Sequence, residues 1–165
     1  MGRLPSLGVK EALCSLIVLL VSFAQLPAQS VTTSASAPRT SDAAQVTIVG
    51  DDYAFLQPPT TLPAGLTLFS FQNRGRVRHE MVVGLLKPGV SVRDYLDVVK
   101  QLGRRRDLLE STIGLLMATP ADTSGGRLLA WLIPGRSYIV VCTLRDTPDA
   151  QPHAMLGMIS GFTIP

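Results

Sequence analysis

Residues Ser137 to Leu144 read SYIVVCTL, an apolar, β-branched run that follows a Pro134-Gly135 turn. A short apolar run bounded by turn residues is typical of a β-strand. Similar runs occur at Val46–Val49 (VTIV), Leu66–Gln72 (LTLFSFQ), His79–Leu86 (HEMVVGLL), Arg127–Ile133 (RLLAWLI) and Met158–Ile164 (MISGFTI). Five or six short strands separated by turns predict an all-β fold, either an antiparallel sandwich or a barrel.

One stretch departs from the strand pattern. Ser91-Val92-Arg93-Asp94 fits a capping box, and apolar residues follow it at helical spacing. Asp107 to Met117 is predicted to form a second short helix, which Pro120 would end. The β domain is therefore expected to carry a mainly helical insertion at about residues 91–117.

The N-terminus predicts export. Arg3 and Lys10 precede the apolar run from Ala12 to Ala24, which is too short to span a bilayer comfortably but suits a secretory signal. We expect a signal peptide over residues 1–28, with an uncleaved membrane anchor as the alternative. Residues 29–44, rich in Ser, Thr and Ala, read as a disordered leader, and residues 45–165 as the domain. The mature protein would be secreted or periplasmic, without a membrane span.

Composition and motifs exclude several classes of protein. The 165 residues carry a net charge of only +3, and no basic stretch is interleaved with aromatic residues, so nucleic-acid binding is not expected. The two cysteines are too few for a disulfide scaffold. The short nucleotide-binding and hydrolase motifs are absent.

Strand alternation places three reactive side chains on apolar faces. His79, Cys142 and Met158 each fall near an end of an apolar row, because residues two apart share one face of a strand. The apolar residues on these faces are Met81, Val83 and Leu85, then Tyr138, Val140 and Leu144, and finally Phe162 and Ile164. Glu80 points to the opposite face from His79, so it is a poor candidate for the same set of ligands.

The reactive residues form one chemically coherent set. If Cys14 leaves with the signal peptide, the mature chain keeps two histidines, His79 and His153, and one cysteine, Cys142. Two imidazoles, one thiolate and a weak thioether hold copper in electron-transfer sites. Met158 is the predicted thioether ligand, with Met155 as the alternative. Taken singly, each of these residues is more often an ordinary core residue than a ligand, and it is their joint occurrence that favours copper.

These residues lie in motifs that resemble those of the cupredoxins, the plastocyanin- and azurin-like blue copper proteins. The motifs are the N-x-G…H element from Asn73 to His79, the PG-x-Y…C element from Pro134 to Cys142, Pro152-His153 and Gly157-Met158. The resemblance spans about residues 45–165 outside the insertion. It implies a Greek-key β-sandwich that binds one copper ion, Cu(I) or Cu(II), through His79, Cys142, His153 and Met158. It also implies that His153 is the solvent-side exit for electrons.

Two features depart from the family pattern. Ten residues separate Cys142 from His153, where blue copper proteins usually have a tight loop, so His153 is expected to be held less rigidly. Glu80 follows His79 where the family often has Asn, so the hydrogen bonds that steady the ligand loop are expected to differ.

Electron transfer through one type-1-like copper is the predicted function, with a redox protein as the possible partner. Arg74, Arg76 and Arg78 would offer that partner a basic approach to the site. The alternatives are a metal-free extracellular binding module and a copper storage or delivery protein. An enzyme that uses Cys142 as a nucleophile with a histidine and Asp146 or Asp149 is not expected, because this cysteine ends an apolar strand run.

Overall fold

Nine strands and two helices make up the part of the chain that the structure, a computed structural model, describes: residues 42–101 and 105–165. The strands are β1 (Ala44–Asp51), β2 (Ala54–Leu56), β3 (Gly65–Asn73), β4 (His79–Leu86), β5 (Leu109–Ala118), β6 (Asp122–Thr123), β7 (Leu128–Leu132), β8 (Ser137–Val141) and β9 (Ile159–Thr163). The helices are α1 (Val92–Lys100) and the single turn α2 (His153–Leu156). The predicted signal peptide and residues 29–41 of the predicted leader lie outside the described residues.

The strands form two sheets. In the first sheet the order is β2-β1-β3, and both β6 and β7 pair with the far edge of β3. The second sheet has the order β5-β4-β8-β9. The predicted sandwich is therefore correct and the alternative of a barrel is not. β1 and β3 are parallel, whereas every other strand pair is antiparallel. The parallel pair arises because the chain leaves the first sheet after β2 and touches the second at the Thr61–Thr163 bridge before it returns.

The core lies between the sheets and contains the apolar faces predicted from strand alternation. Phe69 and Phe71 of the first sheet meet the inward residues of the second, and all are buried. These inward residues are Met81, Val83, Leu85, Tyr138, Val140, Cys142, Met158, Phe162 and Ile164. The interior burial of such side chains provides the main driving force for a sandwich of this size.

Helix α1 covers the outer face of the second sheet. The predicted capping box is present: the Ser91 side chain accepts a hydrogen bond from Asp94 N, and the Asp94 carboxylate accepts one from Ser91 N. Tyr95 and Val99, on one face of the helix, are buried. They form a second apolar cluster with Leu86, Ile139, Val141 and Ala154.

The prediction of a second helix at Asp107–Met117 is wrong. Only residues 105–108 form a 3-10 turn, and Leu109–Ala118 is the strand β5. It pairs with β4 from His79–Ala118 to Leu86–Leu109, and two register shifts accommodate its irregular apolar spacing. Hydrogen bonding along the open edge of β4 therefore outweighs the local helical spacing of the leucines.

Candidate metal centre

Three of the four predicted ligands lie at the same end of the second sheet. His79 is the first residue of β4, Cys142 directly follows β8, and Met158 directly precedes β9. The register brings these ends together, because Val141 of β8 pairs with Val82 of β4 and with Ile159 of β9. His153 enters from the loop between β8 and β9 as the first residue of α2.

The turn before β4 aims His79 at this end of the sandwich. Asn73 is buried, its Nδ2 donates to the carbonyl of Val77, and its Oδ1 accepts a hydrogen bond from Gly75 N. A Cβ on Gly75 would lie 2.9 Å from the backbone N of Asp52, so only glycine fits this close approach. The Asn-x-Gly motif is thus the device that orders the segment leading into His79.

The ligand atoms of His79, Cys142 and His153 converge. Nδ1 of His79 lies 3.1 Å from Nδ1 of His153, and Sγ of Cys142 lies 3.4 Å from Nδ1 of His153 and 3.9 Å from Nδ1 of His79. All three side chains are buried, with at most 1% exposure. Within residues 42–101 and 105–165, this is the one group of three or more potential metal-ligating side chains.

The triangle formed by these atoms fits a metal ion. Imidazole nitrogens and thiolate sulfurs bind zinc, an ion of similar size, at about 2.0–2.3 Å, so three such ligands in a trigonal arrangement would lie about 3.5–3.8 Å apart. The separations of 3.1, 3.4 and 3.9 Å bracket that spacing. His79, Cys142 and His153 therefore fit a trigonal metal site with only small movements of the side chains.

Burial favours the uncharged forms of His79 and Cys142 in the metal-free protein. Burial lowers the pKa of His79, and the neighbouring His153 ring lowers it further. Burial raises the pKa of the Cys142 thiol, although the Glu80 N–H, 3.4 Å from Sγ, opposes this shift. Nε2 of His79 is buried without a hydrogen-bond partner in the described part of the chain. A metal ion would supply the positive charge that ionises the thiol.

Met158 and Met155 lie in different apolar clusters. Met158 is fully buried in the core that contains Cys142, and a Cβ on Gly50 would lie 2.8 Å from its methyl carbon. Its backbone carbonyl accepts the hydrogen bond of Cys142 N. Met155 packs against the cluster under α1, on the outer side of the second sheet.

The long loop between Cys142 and His153 is anchored by hydrogen bonds on both sides of the His153 ring. His153 N donates to the carbonyl of Leu144 at 2.8 Å, and Ala154 N donates to the carbonyl of Cys142 at 2.9 Å. Nε2 of His153 lies 3.0 Å from Oδ1 of Asp146, and His153 is only 1% exposed. The expectation that His153 itself forms a solvent-side exit is therefore wrong, because the loop folds back over its ring.

Two residues that the copper hypothesis did not use complete the surroundings of His153. Oδ2 of Asp146 accepts a hydrogen bond from the Tyr53 hydroxyl at 2.5 Å. The Tyr53 ring packs edge-on against His153, with centroids 5.0 Å apart. This hydrogen bond lowers the pKa of Asp146 and raises that of Tyr53. No sequence pattern links these residues, which are 93 positions apart.

Glu80 lies outside the ligand group, as strand alternation predicts. Its carboxylate accepts hydrogen bonds from N and Oγ1 of Thr143, the residue after Cys142, on the other side of the sheet. The second sheet thus has the candidate ligands on its inner face and, on its outer face, a carboxylate that ties down the start of the loop between Cys142 and His153.

Comparisons with known proteins agree with this architecture. The sequence matches no protein-family model, and no curated protein is a significant match to it. Auracyanin B shares the fold, with a TM-score of 0.51 and 19% identity over 74% of this chain and 89% of that chain. Auracyanin from the photosynthetic bacterium Roseiflexus castenholzii, reduced with dithionite, is 20% identical over 74% of this chain and 98% of that chain, with a TM-score of 0.49. The predicted cupredoxin-like sandwich is thereby confirmed as a fold.

The described helices are all short. Within residues 42–101 and 105–165, no helix has the length and apolar character needed to cross a membrane.

Proposed function

We propose that this chain, which has the cupredoxin fold, binds one copper ion through His79, Cys142 and His153 and uses it to carry single electrons. One observation carries the proposal: Nδ1 of His79, Sγ of Cys142 and Nδ1 of His153 lie within 3.9 Å of one another in the apolar core. A bound copper ion would supply a one-electron couple between Cu(I) and Cu(II).

The protein's own residues suit both states of that couple. The Cys142 thiolate is a soft ligand that favours Cu(I), whereas the imidazoles of His79 and His153 serve both oxidation states. His79 and Cys142 lie at the ends of the paired strands β4 and β8, so the sheet sets the distance between them. A rigid, water-excluding ligand set needs little rearrangement when an electron moves, which supports electron transfer.

Met158 is the proposed axial ligand. It shares the buried core with Cys142, and the hydrogen bond from Cys142 N to the Met158 carbonyl keeps the two residues adjacent. Met155 is a poor alternative, because its side chain packs in the cluster on the outer side of the second sheet.

The proposed setting is an exported protein with a redox protein as its partner. The basic start and apolar run of the N-terminal residues support a secreted or periplasmic location. Arg74, Arg76 and Arg78 are exposed in the segment leading to His79, and Arg76 is paired with Asp52. This local positive charge favours an acidic partner surface.

A second candidate function, copper storage or delivery, uses the same ligands. Storage is the part of this alternative that the structure favours, because the burial of His153 and the contact of its Nε2 with Asp146 enclose the candidate site. The two functions differ in what leaves the site, an electron or the ion.

A Cu(II) titration of the purified protein, followed by visible absorption and then by reduction, tests the proposal. We expect an intense sulfur-to-copper band that saturates at one equivalent and bleaches with a reductant. Cys142→Ser should abolish the band and lower copper affinity by more than the ~10–100-fold typical of losing a residue that hydrogen-bonds to a ligand. Met155→Leu is the matched control and should retain the band.

The outcomes separate the candidate functions. Reversible voltammetry and rapid electron exchange support an electron carrier, whereas slow exchange with rapid release of Cu(I) to a chelator supports storage or delivery. If the protein retains no copper after desalting, the copper proposal fails and a metal-free binding module becomes the function to test.

A further inference from the structure

We infer that Asp146 is the residue that positions His153, holding the ring with Nε2 protonated and a bare Nδ1 directed at Cys142 Sγ. Tyr53 in turn holds Asp146. This inference deepens the proposed copper function and rests on it for its effect on affinity, whereas its effect on the ring is a property of the metal-free chain.

The two oxygens of the Asp146 carboxylate have different partners. Oδ1 lies 3.0 Å from Nε2 of His153, and Oδ2 accepts the Tyr53 hydroxyl at 2.5 Å. A carboxylate accepts hydrogen bonds and does not donate them, so Nε2 must carry the proton of this contact. A histidine that binds a metal ion is neutral and has one N–H, so with the proton on Nε2 the Nδ1 of His153 keeps its lone pair.

The direction of that lone pair is the functionally important result. Nδ1 of His153 lies 3.4 Å from Cys142 Sγ and 3.1 Å from Nδ1 of His79, so the bare nitrogen faces the other two ligand atoms. Metal-bound histidines commonly donate their second N–H to a carboxylate, which orients the ring and makes it a better ligand. Asp146 stands in that relation to His153.

Tyr53, which belongs to a separate part of the fold, limits rotation of the Asp146 carboxylate. It lies in the turn between β1 and β2, and its ring packs edge-on against His153 with an interplanar angle of 78°. Rotation of the Asp146 carboxylate would break the hydrogen bond to either Tyr53 or His153. The first sheet thus helps to orient a ligand that the second sheet's loop supplies.

The loop has backbone anchors that do not depend on Asp146. His153 N and Ala154 N donate to the carbonyls of Leu144 and Cys142, and Asp146 itself is exposed. A substitution of Asp146 should therefore leave the loop folded and act on the His153 ring and the Tyr53 hydroxyl.

The test compares Asp146→Ala and Asp146→Asn with Asp149→Ala, a matched control that removes the same charge from an exposed site in the same loop. Nitrogen-15 NMR of the metal-free proteins reports which ring nitrogen carries the proton, and the chain has only two histidines to resolve. Competition with a chelator of known strength then gives the copper affinity of each variant.

We expect the wild type to show a protonated Nε2 and a bare Nδ1 at His153. Asp146→Ala should give a mixture of the two tautomers and lower copper affinity by about 10–100-fold. Asp146→Asn should restore most of the tautomer preference, because its carbonyl oxygen accepts the same hydrogen bond. Tyr53→Phe should produce a smaller loss, and Asp149→Ala none.

If Asp146→Ala shows the ring signals and the copper affinity of the wild type, the positioning role of Asp146 is wrong, and the copper proposal is unaffected. Equal losses in Asp146→Ala and Asp149→Ala would also overturn the positioning role, because charge alone would then explain both. If no variant binds copper but Asp146→Ala still mixes the tautomers, the positioning role is supported and the proposed copper function fails.

Discussion

The Glu80 carboxylate accepts two hydrogen bonds from Thr143, from the backbone N at 2.8 Å and from Oγ1 at 2.6 Å. Glu80 follows His79 and Thr143 follows Cys142, so one contact on the outer face of the sheet joins the segments that carry two of the candidate ligands. The Glu80 N–H also lies 3.4 Å from Cys142 Sγ. Glu80, whose place in the sequence predicted different hydrogen bonds around the loop, thus ties down the segment that starts at Thr143.

Substitutions of Glu80 should distinguish what these hydrogen bonds contribute to stability from what side-chain packing contributes. Glu80→Ala removes two hydrogen bonds from the exposed Thr143 to a charged acceptor, which should lower the free energy of unfolding by about 1–2 kcal/mol. Glu80→Gln keeps an acceptor and should cost less. Urea unfolding measures both, and equal stability of the Ala and Gln variants would contradict the role given to Glu80.

Met158→Leu tests the proposed axial ligand. The change nearly conserves volume, so it should lower the free energy of unfolding by less than about 1.5 kcal/mol. Loss of a donor should favour Cu(I) and raise the reduction potential, since the axial ligand tunes that potential. Voltammetry measures the shift. Met155→Leu should leave the potential unchanged, and a shift in that variant instead would transfer the axial role to Met155.

Metal binding should stabilise the folded chain. Zn²⁺ accepts the same nitrogen and sulfur ligands without redox chemistry, and at 1,000 times its dissociation constant it should add about 4 kcal/mol to the free energy of unfolding. Urea unfolding with and without EDTA gives this difference. Cys142→Ser should lose most of the gain, and an equal gain in that variant would place the ion elsewhere.

Gly161→Ala should destabilise the packing of α1 on β9. A Cβ at this position would lie 2.6 Å from the Tyr138 carbonyl oxygen and 2.7 Å from a Val92 methyl, so backbone or helix must move. Overpacking of this kind costs about 1–3 kcal/mol. Thermal unfolding measures the loss. Gly125→Ala is the control, because its Cβ would meet nothing within 4 Å, and equal effects of the two changes would contradict the prediction.

The ion pair of Asp52 and Arg76 should stabilise the fold at neutral pH and cease to do so in acid. Hydrogen bonds from Arg76 N and Nε hold the pKa of Asp52 below its usual value of 3.8. A carboxyl with a lowered folded-state pKa contributes stability above that usual value, and this contribution disappears as the pH falls through the folded-state pKa.

Asp52→Asn should therefore be less stable than the wild type at pH 7 and approach it at pH 2–3. Urea unfolding at both pH values measures the difference, with Asp149→Asn as an exposed control. A stability gap that stays constant or widens in acid would contradict the assignment.

Local patterns predicted much of the second sheet. His79–Leu86 is a strand with the same bounds in the structure, and the apolar faces next to His79, Cys142 and Met158 are buried as strand alternation requires, except for Leu144, which lies beyond the end of β8 and is partly buried. These predictions succeeded because a strand's two faces follow from a period of two within a few residues. The strand at Leu109–Ala118 was predicted to be a helix, because its identity depends on pairing with the distant β4.

The amino-acid sequence by itself determined the strand faces, the capped helix at Ser91 and the order of the candidate ligands, since each depends on short-range spacing. Only the tertiary structure decided that the long ligand loop folds inward and that Tyr53 meets Asp146 beside His153. The physical reason is that this contact joins a turn of the first sheet to a loop of the second. No local periodicity encodes a hydrogen bond that forms only when the two sheets pack.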